Sequence, residues 1–369
     1  AYPEFTPRRM FFDAYPQVSS ASSETLPLLR EKLFQQINKG VLFVNYTGHG
    51  STEGIGNERV LSRSDISSMN NSILPIFFTA TCDFAEYDQL TSSIGKELHL
   101  KENGGAIALI TSNRSVYMAG NFSLNKAFNS LILKRENGKS LTLGEINRRA
   151  KNQLSDKNQW SYCLLGDPAL RVNLHQNVVS VDTMKRVQCL DYKKYVCEEG
   201  DRDTLKALSL VKIKGKILAE NHDHLSDFNG FVDVVLWDKK VEQTTFGNTN
   251  PSQTYTYEDR INVLFSGTTI VKNGAYELLV KIPKDINYSL GEGRLTLYAY
   301  EENQNRDALG YEEQFLVGSI ENDVVMETSG PILSMYLNSE DFYSGKNVDS
   351  EPMLFASFSD VCGIKVSGS

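Results

Sequence analysis

The sequence predicts an α/β domain followed by all-β structure, and two changes of texture along the chain carry that reading. Residues 1–175 alternate helix-like and strand-like stretches, the pattern of a mainly parallel sheet with flanking helices. Beyond about residue 175 the helix signals stop, and short runs of alternating apolar and polar residues take over. Near Ser329-Gly330-Pro331 the β pattern restarts, so the expected division is 1–175, 176–328 and 329–369, the last being the opening of a further β module.

The elements follow in order. Ser23-Glu24 to Lys39 reads as a helix with an N-cap at its start and Gly40 closing it. Val41 to Thr47 and Ile73 to Thr79 are apolar strands. A helix from Ile94 to Leu100 stops at Asn103-Gly104-Gly105, and Ala106 to Thr111 forms a third buried strand. Phe122 to Leu133 and Leu143 to Leu154 have helical spacing. In the second part, Val211 to Ile217, Phe231 to Trp237, Ala275 to Ile282, Arg294 to Tyr300 and Tyr311 to Val317 read as strands. Gly, Asn, Asp and Pro punctuate them, as in an immunoglobulin-like antiparallel sandwich.

Composition narrows the function classes. The chain has 369 residues, 40% hydrophobic and 23% charged, normal for a globular protein. Net charge is −8 and no basic block is present, so no nucleic-acid partner is expected. No apolar run has the length of a membrane-spanning helix, and Ala1-Tyr2-Pro3-Glu4 lacks the basic start of a secretory leader. Of the five cysteines, Cys189 and Cys197 have a spacing that suits a small disulfide loop or two free thiols. No cysteine pair has zinc-ribbon spacing, and His222-Asp223-His224 reads as a surface loop rather than a metal site. Gly54-Ile55-Gly56 is not followed by the Lys-Ser/Thr of a phosphate loop. No metal or cofactor is expected.

Two runs carry chemistry. Thr47-Gly48-His49-Gly50 and Ala80-Thr81-Cys82-Asp83 each follow a strand. Adjacent parallel strands place such ends on one sheet edge, where open α/β folds keep their sites. A thiol there is a nucleophile once an imidazole takes its proton. The Gly50 and Cys82 amides are the natural oxyanion donors, since glycines beside His49 let the backbone turn tightly. Cys82 alone would read as an inert core residue; the pairing, the order and the two strand ends favour a dyad. Asp83, Glu86 and Asp88 form an acidic turn that reads as a solvated loop before it reads as a site for basic substrates.

Tyr46-Thr47-Gly48-His49-Gly50-Ser51 followed by Thr79-Ala80-Thr81-Cys82-Asp83-Phe84 resembles the core of the gingipain-type cysteine peptidases, which have a caspase-like α/β fold. Phe12-Asp13-Ala14-Tyr15-Pro16-Gln17, Gly104-Gly105-Ala106-Ile107-Ala108-Leu109 and Leu165-Gly166-Asp167-Pro168-Ala169-Leu170 are similar to the sortase branch, which serves type IX secretion in Bacteroidetes. The resemblance implies an enzyme without cofactor that removes C-terminal signal domains from secreted proteins at the Gram-negative cell surface. Outer-membrane secretion components and anionic lipopolysaccharide are its implied partners. It implies Cys82 as nucleophile, His49 as acid and base, and Val116 and Tyr117 on the substrate side. It also implies an upstream part of the caspase-like domain that this sequence does not show. The acidic group that orients the histidine would lie there, with Asp13 as a weaker substitute. A degradative peptidase and a silent docking component are the competing expectations.

Overall fold

The structure, a computed structural model, describes residues 2–20, 23–155, 157–191, 194–197, 204–248, 253–302, 306–321, 332–348 and 350–359. They form two compact units. The first holds Arg8–Leu174 with Gln243–Tyr257, and the second holds Ala1–Pro7, His175–Glu242 and Glu258–Ser369. In two segments, 1–7 and 243–257, this grouping departs from a linear division of the chain.

The first unit is built on a four-stranded sheet of β1 (Phe43–Thr47), β2 (Ile76–Ala80), β3 (Ala108–Ser112) and β4 (Tyr162–Leu165). β1, β2 and β3 are parallel neighbours in that order, and β4 pairs antiparallel with β3. Every residue of β2 and β3 is buried, which is why neither strand alternates in sequence. Their two threonines, Thr79 and Thr111, lie opposite each other and share a hydroxyl hydrogen bond of 2.5 Å, so neither hydroxyl is left unpaired.

Helices α1 (Pro27–Lys39), α2 (Ile94–Leu100), α3 (Met118–Leu131) and α4 (Leu143–Asn152) flank the sheet. Successive strand residues point to opposite faces. Phe77 accordingly joins Ile37, Leu98 and Leu109 on one side. Phe78 stacks on Phe128 of α3 at 4.2 Å on the other. This mixed α/β architecture is the one the alternating texture predicts.

Boundaries differ where local chemistry was misread. α1 starts at Pro27, not Ser23, and Glu24–Thr25 pairs instead with Val18–Ser19. A proline fits only the first helical turn and biases its predecessor away from helix. Gly40, at φ +92°, ends α1 as expected. A short helix at Arg63–Ser68 was not read from the sequence, although the Ser62/Asp65 capping box that opens it is there. β4, four residues long, was also too short to read.

The second unit contains β5 (Asn177–Asp191), β6 (Leu210–Leu218), β7 (Gly230–Trp237), β8 (Val263–Lys272), β9 (Ala275–Lys281), β10 (Arg294–Tyr300) and β11 (Asp307–Glu312). Two groups emerge, β5-β6-β9 and β8-β7-β10-β11. Among the described residues they join through short pairings, Val271–Lys272 with Ala275–Tyr276 and Asn177–Val178 with Ala308–Leu309. Val211, Ile213, Ile217 and Val280 from one group and Val232, Val234, Leu236 and Leu295 from the other share one fully buried core. The outward residues of β6 are lysines, and Glu277 on β9 pairs with Lys212 and Lys214.

The expected strand Tyr311 to Val317 is two strands in different sheets. The Glu312 carboxylate accepts the amides of Glu313 and Gln314, which turns the chain, and Leu316–Ile320 then pairs with Thr204–Ala207 and Gly291–Glu292. Ile332–Leu337 and Leu354–Ser359 form an antiparallel hairpin. The side chains of Cys189 and Cys197, and residue Cys362, lie outside the described residues.

Because Phe78 fills the space between β2, Phe128 and Tyr162, Phe78→Ala should cost about 3–5 kcal/mol of the first unit's stability. Urea unfolding followed by near-ultraviolet circular dichroism would show it as an earlier transition.

Candidate active site

The site is built from the ends of β1 and β2. These strands pair in parallel register with Thr47 opposite Ala80. His49 and Cys82 each stand two residues further on, so strand pairing alone brings their loops level at neighbouring positions, about 4.8 Å apart in strand spacing. The Gly48 amide continues the contact, donating to the Ala80 carbonyl at 3.3 Å. A Cβ on Gly50 would lie 2.4 Å from Thr81 Oγ1, so the histidine loop packs directly on the residue before Cys82 and needs a glycine there.

After His49 the chain makes a tight hairpin, Gly50–Ser51 against Gly54–Ile55. The His49 carbonyl accepts the Gly56 amide at 2.8 Å and the Tyr46 hydroxyl at 2.7 Å. Burial and the nearby Glu58 carboxylate push the Tyr46 phenol well above its ordinary range, so it remains a donor. Gly48 is required as well, because a Cβ there would meet the Tyr46 oxygen at 2.4 Å. These contacts fix the backbone of His49 while its side chain stays exposed. Antiparallel pairs alternate between bonded and non-bonded positions. The bond between His49 and Gly56 therefore makes Gly50 opposite Ile55 a non-bonded pair, with the Gly50 amide turned away from the hairpin partner. The Cys82 amide has no hydrogen-bond partner among the described residues. Both expected oxyanion donors are thus open.

Cys82 is half-buried, and its sulfur faces the backbone of Val116. The Val116 amide donates to Sγ at 3.4 Å, and the carbonyl lies 3.5 Å away as acceptor. The turn after Cys82 is held from β3: Asp83, at φ +54°, donates its amide to Arg114, and Ala85 donates to Ser112. The acidic turn is paired rather than open. Arg114 binds both Asp88 oxygens at 3.0 and 2.5 Å and lies 3.8 Å from Glu86, while Ser115 donates to Asp83. That guanidinium holds the Asp88 carboxyl below its usual range.

Val116 therefore meets Cys82 through its main chain. Tyr117 is held by Asn158, which accepts its amide at 3.0 Å and donates to its carbonyl at 2.7 Å, leaving the ring 75% exposed. Met118 and Phe122, one turn apart on α3, are exposed beside it. The roles of Tyr46 and Asn158 escaped the sequence reading. Tyr46 stood in the motif, but nothing in its spacing shows that it folds back on His49. Asn158 lies 41 residues beyond Tyr117, with no local signal. Asp13, a weak candidate for orienting the histidine, has both carboxylate oxygens bonded to backbone amides of Gly247 and Asn248. His222 and Asp223 lie in a turn closed by Asn221, and no group of metal-binding side chains occurs among the described residues.

The model of Peptidase family C25 matches residues 1–173, the stretch that contains both loops. Over that stretch the chain is similar to peptidase family C25. Among solved structures, dimeric latent PorU from Porphyromonas gingivalis is 31% identical, covering 73% of this chain and 25% of its own, with a TM-score of 0.42. The Arg-specific proteinase gingipain R is 17% identical, covering 79% of this chain and 56% of its own, with a TM-score of 0.37. The chain thus spans a quarter of the PorU chain and somewhat over half of the gingipain chain. No curated protein matches it. The family C25 match agrees with the resemblance read from the two loop motifs.

Two outcomes follow for this site. Gly50→Ala should slow alkylation of Cys82 by a substrate-like electrophile at least tenfold, because Thr81 must move to admit the methyl group. Cys163 on β4 points at the Thr111 carbonyl, and burial pushes its thiol up to about 11. Its thiolate appears only as pH approaches that value. Iodoacetamide at about pH 8 should therefore leave Cys163 unmodified by peptide mass spectrometry, with reaction rising only in strong alkali.

Proposed function

We propose that the chain is the catalytic part of a cell-surface cysteine endopeptidase and transpeptidase. It would remove C-terminal signal domains from proteins exported by type IX secretion. The observation that carries the reading is the register of β1 and β2, which sets His49 and Cys82 level on adjacent loops. The match of residues 1–173 to the model of Peptidase family C25 supports a cysteine peptidase. The flanking motifs around Asp13, Gly105 and Asp167 favour the sortase branch.

His49 takes the Cys82 thiol proton as sulfur attacks the scissile carbonyl. The Gly50 and Cys82 amides bind the resulting oxyanion. Collapse breaks the C–N bond, and His49 returns the proton to the leaving amine. A thioester remains on Cys82. An amine of an anionic lipopolysaccharide, or water, then attacks it. His49 removes the attacking group's proton, the C–S bond breaks, and the proton returns to sulfur.

Val116 and Tyr117 form the substrate side. With Asp88 and Glu86 facing Arg114 and Asp83 engaged by Ser115, an uncharged side chain suits this wall better than a lysine or arginine. The site of action is the outside of the outer membrane. Among the described residues no helix is long and apolar enough to cross a membrane.

The test is covalent labelling with acyloxymethyl ketones that carry norleucine or lysine at the residue next to the warhead. Modification should fall on Cys82, favour norleucine, disappear in Cys82→Ala and slow by roughly 10²–10⁴-fold in His49→Ala. A labelled thiol elsewhere, or no dependence on His49, sinks the dyad. Incubation with a cargo protein and a small amine separates the finer reading: an amide product at the new C-terminus supports transpeptidation, and hydrolysis alone supports a degradative peptidase.

A further inference from the structure

A contiguous set of contacts runs from a distant stretch of sequence to the backbone of His49. Residues 243–257 lie in sequence among the β strands of the second unit, yet they belong to the first. Their described parts, 243–248 and 253–257, make an arm tied across at Thr245 and Tyr255, through bonds of 3.0 and 2.8 Å. The arm is gripped by Asp13. One carboxylate oxygen accepts the Gly247 amide at 2.9 Å, the other the Asn248 amide at 2.7 Å, and the Asp13 carbonyl accepts the Phe246 amide at 2.7 Å. The Asn248 side chain bonds the Tyr15 carbonyl, and Phe11 meets Tyr257 edge-on at 4.9 Å. Five contacts on one short 3₁₀ turn, Phe12–Ala14 and its flanks, are a firm grip.

The same turn touches the catalytic loop. The Phe12 ring lies 5.6 Å from that of Tyr46, and a Cβ on Gly56 would strike the Phe12 ring at 2.6 Å. Tyr46 and Gly56 are the two donors that hold the His49 carbonyl. Phe12 thus backs both bonds at once. We infer that Asp13, by clamping the 243–257 arm onto the Phe12 turn, is a positioning residue for His49. It acts through Phe12 on Tyr46 and Gly56. This rests on the peptidase reading above and adds to it that a segment remote in sequence completes the histidine loop. Misplacing a reacting group by about 1 Å can cost two orders of magnitude in rate, so even a partial loosening is measurable.

The test compares the wild-type 369-residue chain with Asp13→Ala, Asp13→Asn and Tyr46→Phe. Three quantities are read: the thermal midpoint, the maximal rate and half-saturation of Cys82 labelling by the norleucine ketone, and hydrogen exchange in the peptide that contains the Gly56 amide. Asp13→Ala and Tyr46→Phe should lower the maximal rate about tenfold without changing half-saturation, and should speed Gly56 exchange. Asp13→Asn keeps one acceptor oxygen and should fall between Asp13→Ala and the wild type. Folded variants with unchanged rate and exchange overturn the inference. If Asp13→Ala does not fold, Tyr46→Phe leaves the clamp intact and decides by the same readouts. If the wild-type chain does not label at Cys82, the peptidase reading fails, and Gly56 exchange in Asp13→Ala still decides: faster exchange sustains the positioning role and unchanged exchange overturns it.

Discussion

The parallel pairing of Phe43–Thr47 with Ile76–Ala80 is the constraint on which the rest depends. In a parallel pair the register is fixed along the whole length, so two loops that leave at matching positions stay level. His49 and Cys82 inherit their proximity from this register and not from any direct bond between them. A shift of one residue would also turn every buried side chain of the strand to the wrong face. Phe77 and Phe78, packed on opposite faces against α1 and α3 neighbours, therefore lock the register that the site requires.

Around that frame the backbone, more than the side chains, shapes the site. The His49 carbonyl takes two donors, the Val116 amide faces the Cys82 sulfur, and Gly50 meets Thr81 with no room for a methyl group. Apart from the Tyr46 hydroxyl, each is a close approach made by a glycine or a main-chain group. Side chains enter mainly as clamps: Tyr46 beneath His49, Asn158 across Tyr117, and Arg114 on the acidic turn. The acidic turn illustrates the consequence. By composition it read as a solvated loop, yet its carboxylates are engaged by the adjoining loop, Asp88 and Glu86 by Arg114 and Asp83 by Ser115.

The two units show different ways of making a core. In the first, strands buried on both faces are mostly apolar, and their buried threonines Thr79 and Thr111 bond each other. In the second, β6 alternates buried Val211, Ile213 and Ile217 with lysines that pair across the strand. The tyrosines at 298 and 300 belong to this pattern: they stack along one strand at 5.8 Å, and Tyr300 also meets Phe231 on the neighbouring strand. Packing within and between strands accounts for these rings.

The sequence by itself determined the three parallel strands and the four longer helices of the first unit, the β character of the second, and the two loops that carry His49 and Cys82. Those features rest on local rules: burial periodicity, glycine turns and strand-end position. Its errors were also local, as with Pro27 setting the true start of α1 and the Glu312 carboxylate breaking a strand in two. Only the tertiary structure decided that Asp13 grips the 243–257 arm, that Asn158 holds Tyr117, and that Tyr46 folds back on its own loop. Two of these contacts join residues far apart in sequence through hydrogen bonds that no periodicity encodes. The third depends on a side-chain direction, with the Phe12 ring lying 5.6 Å from that of Tyr46.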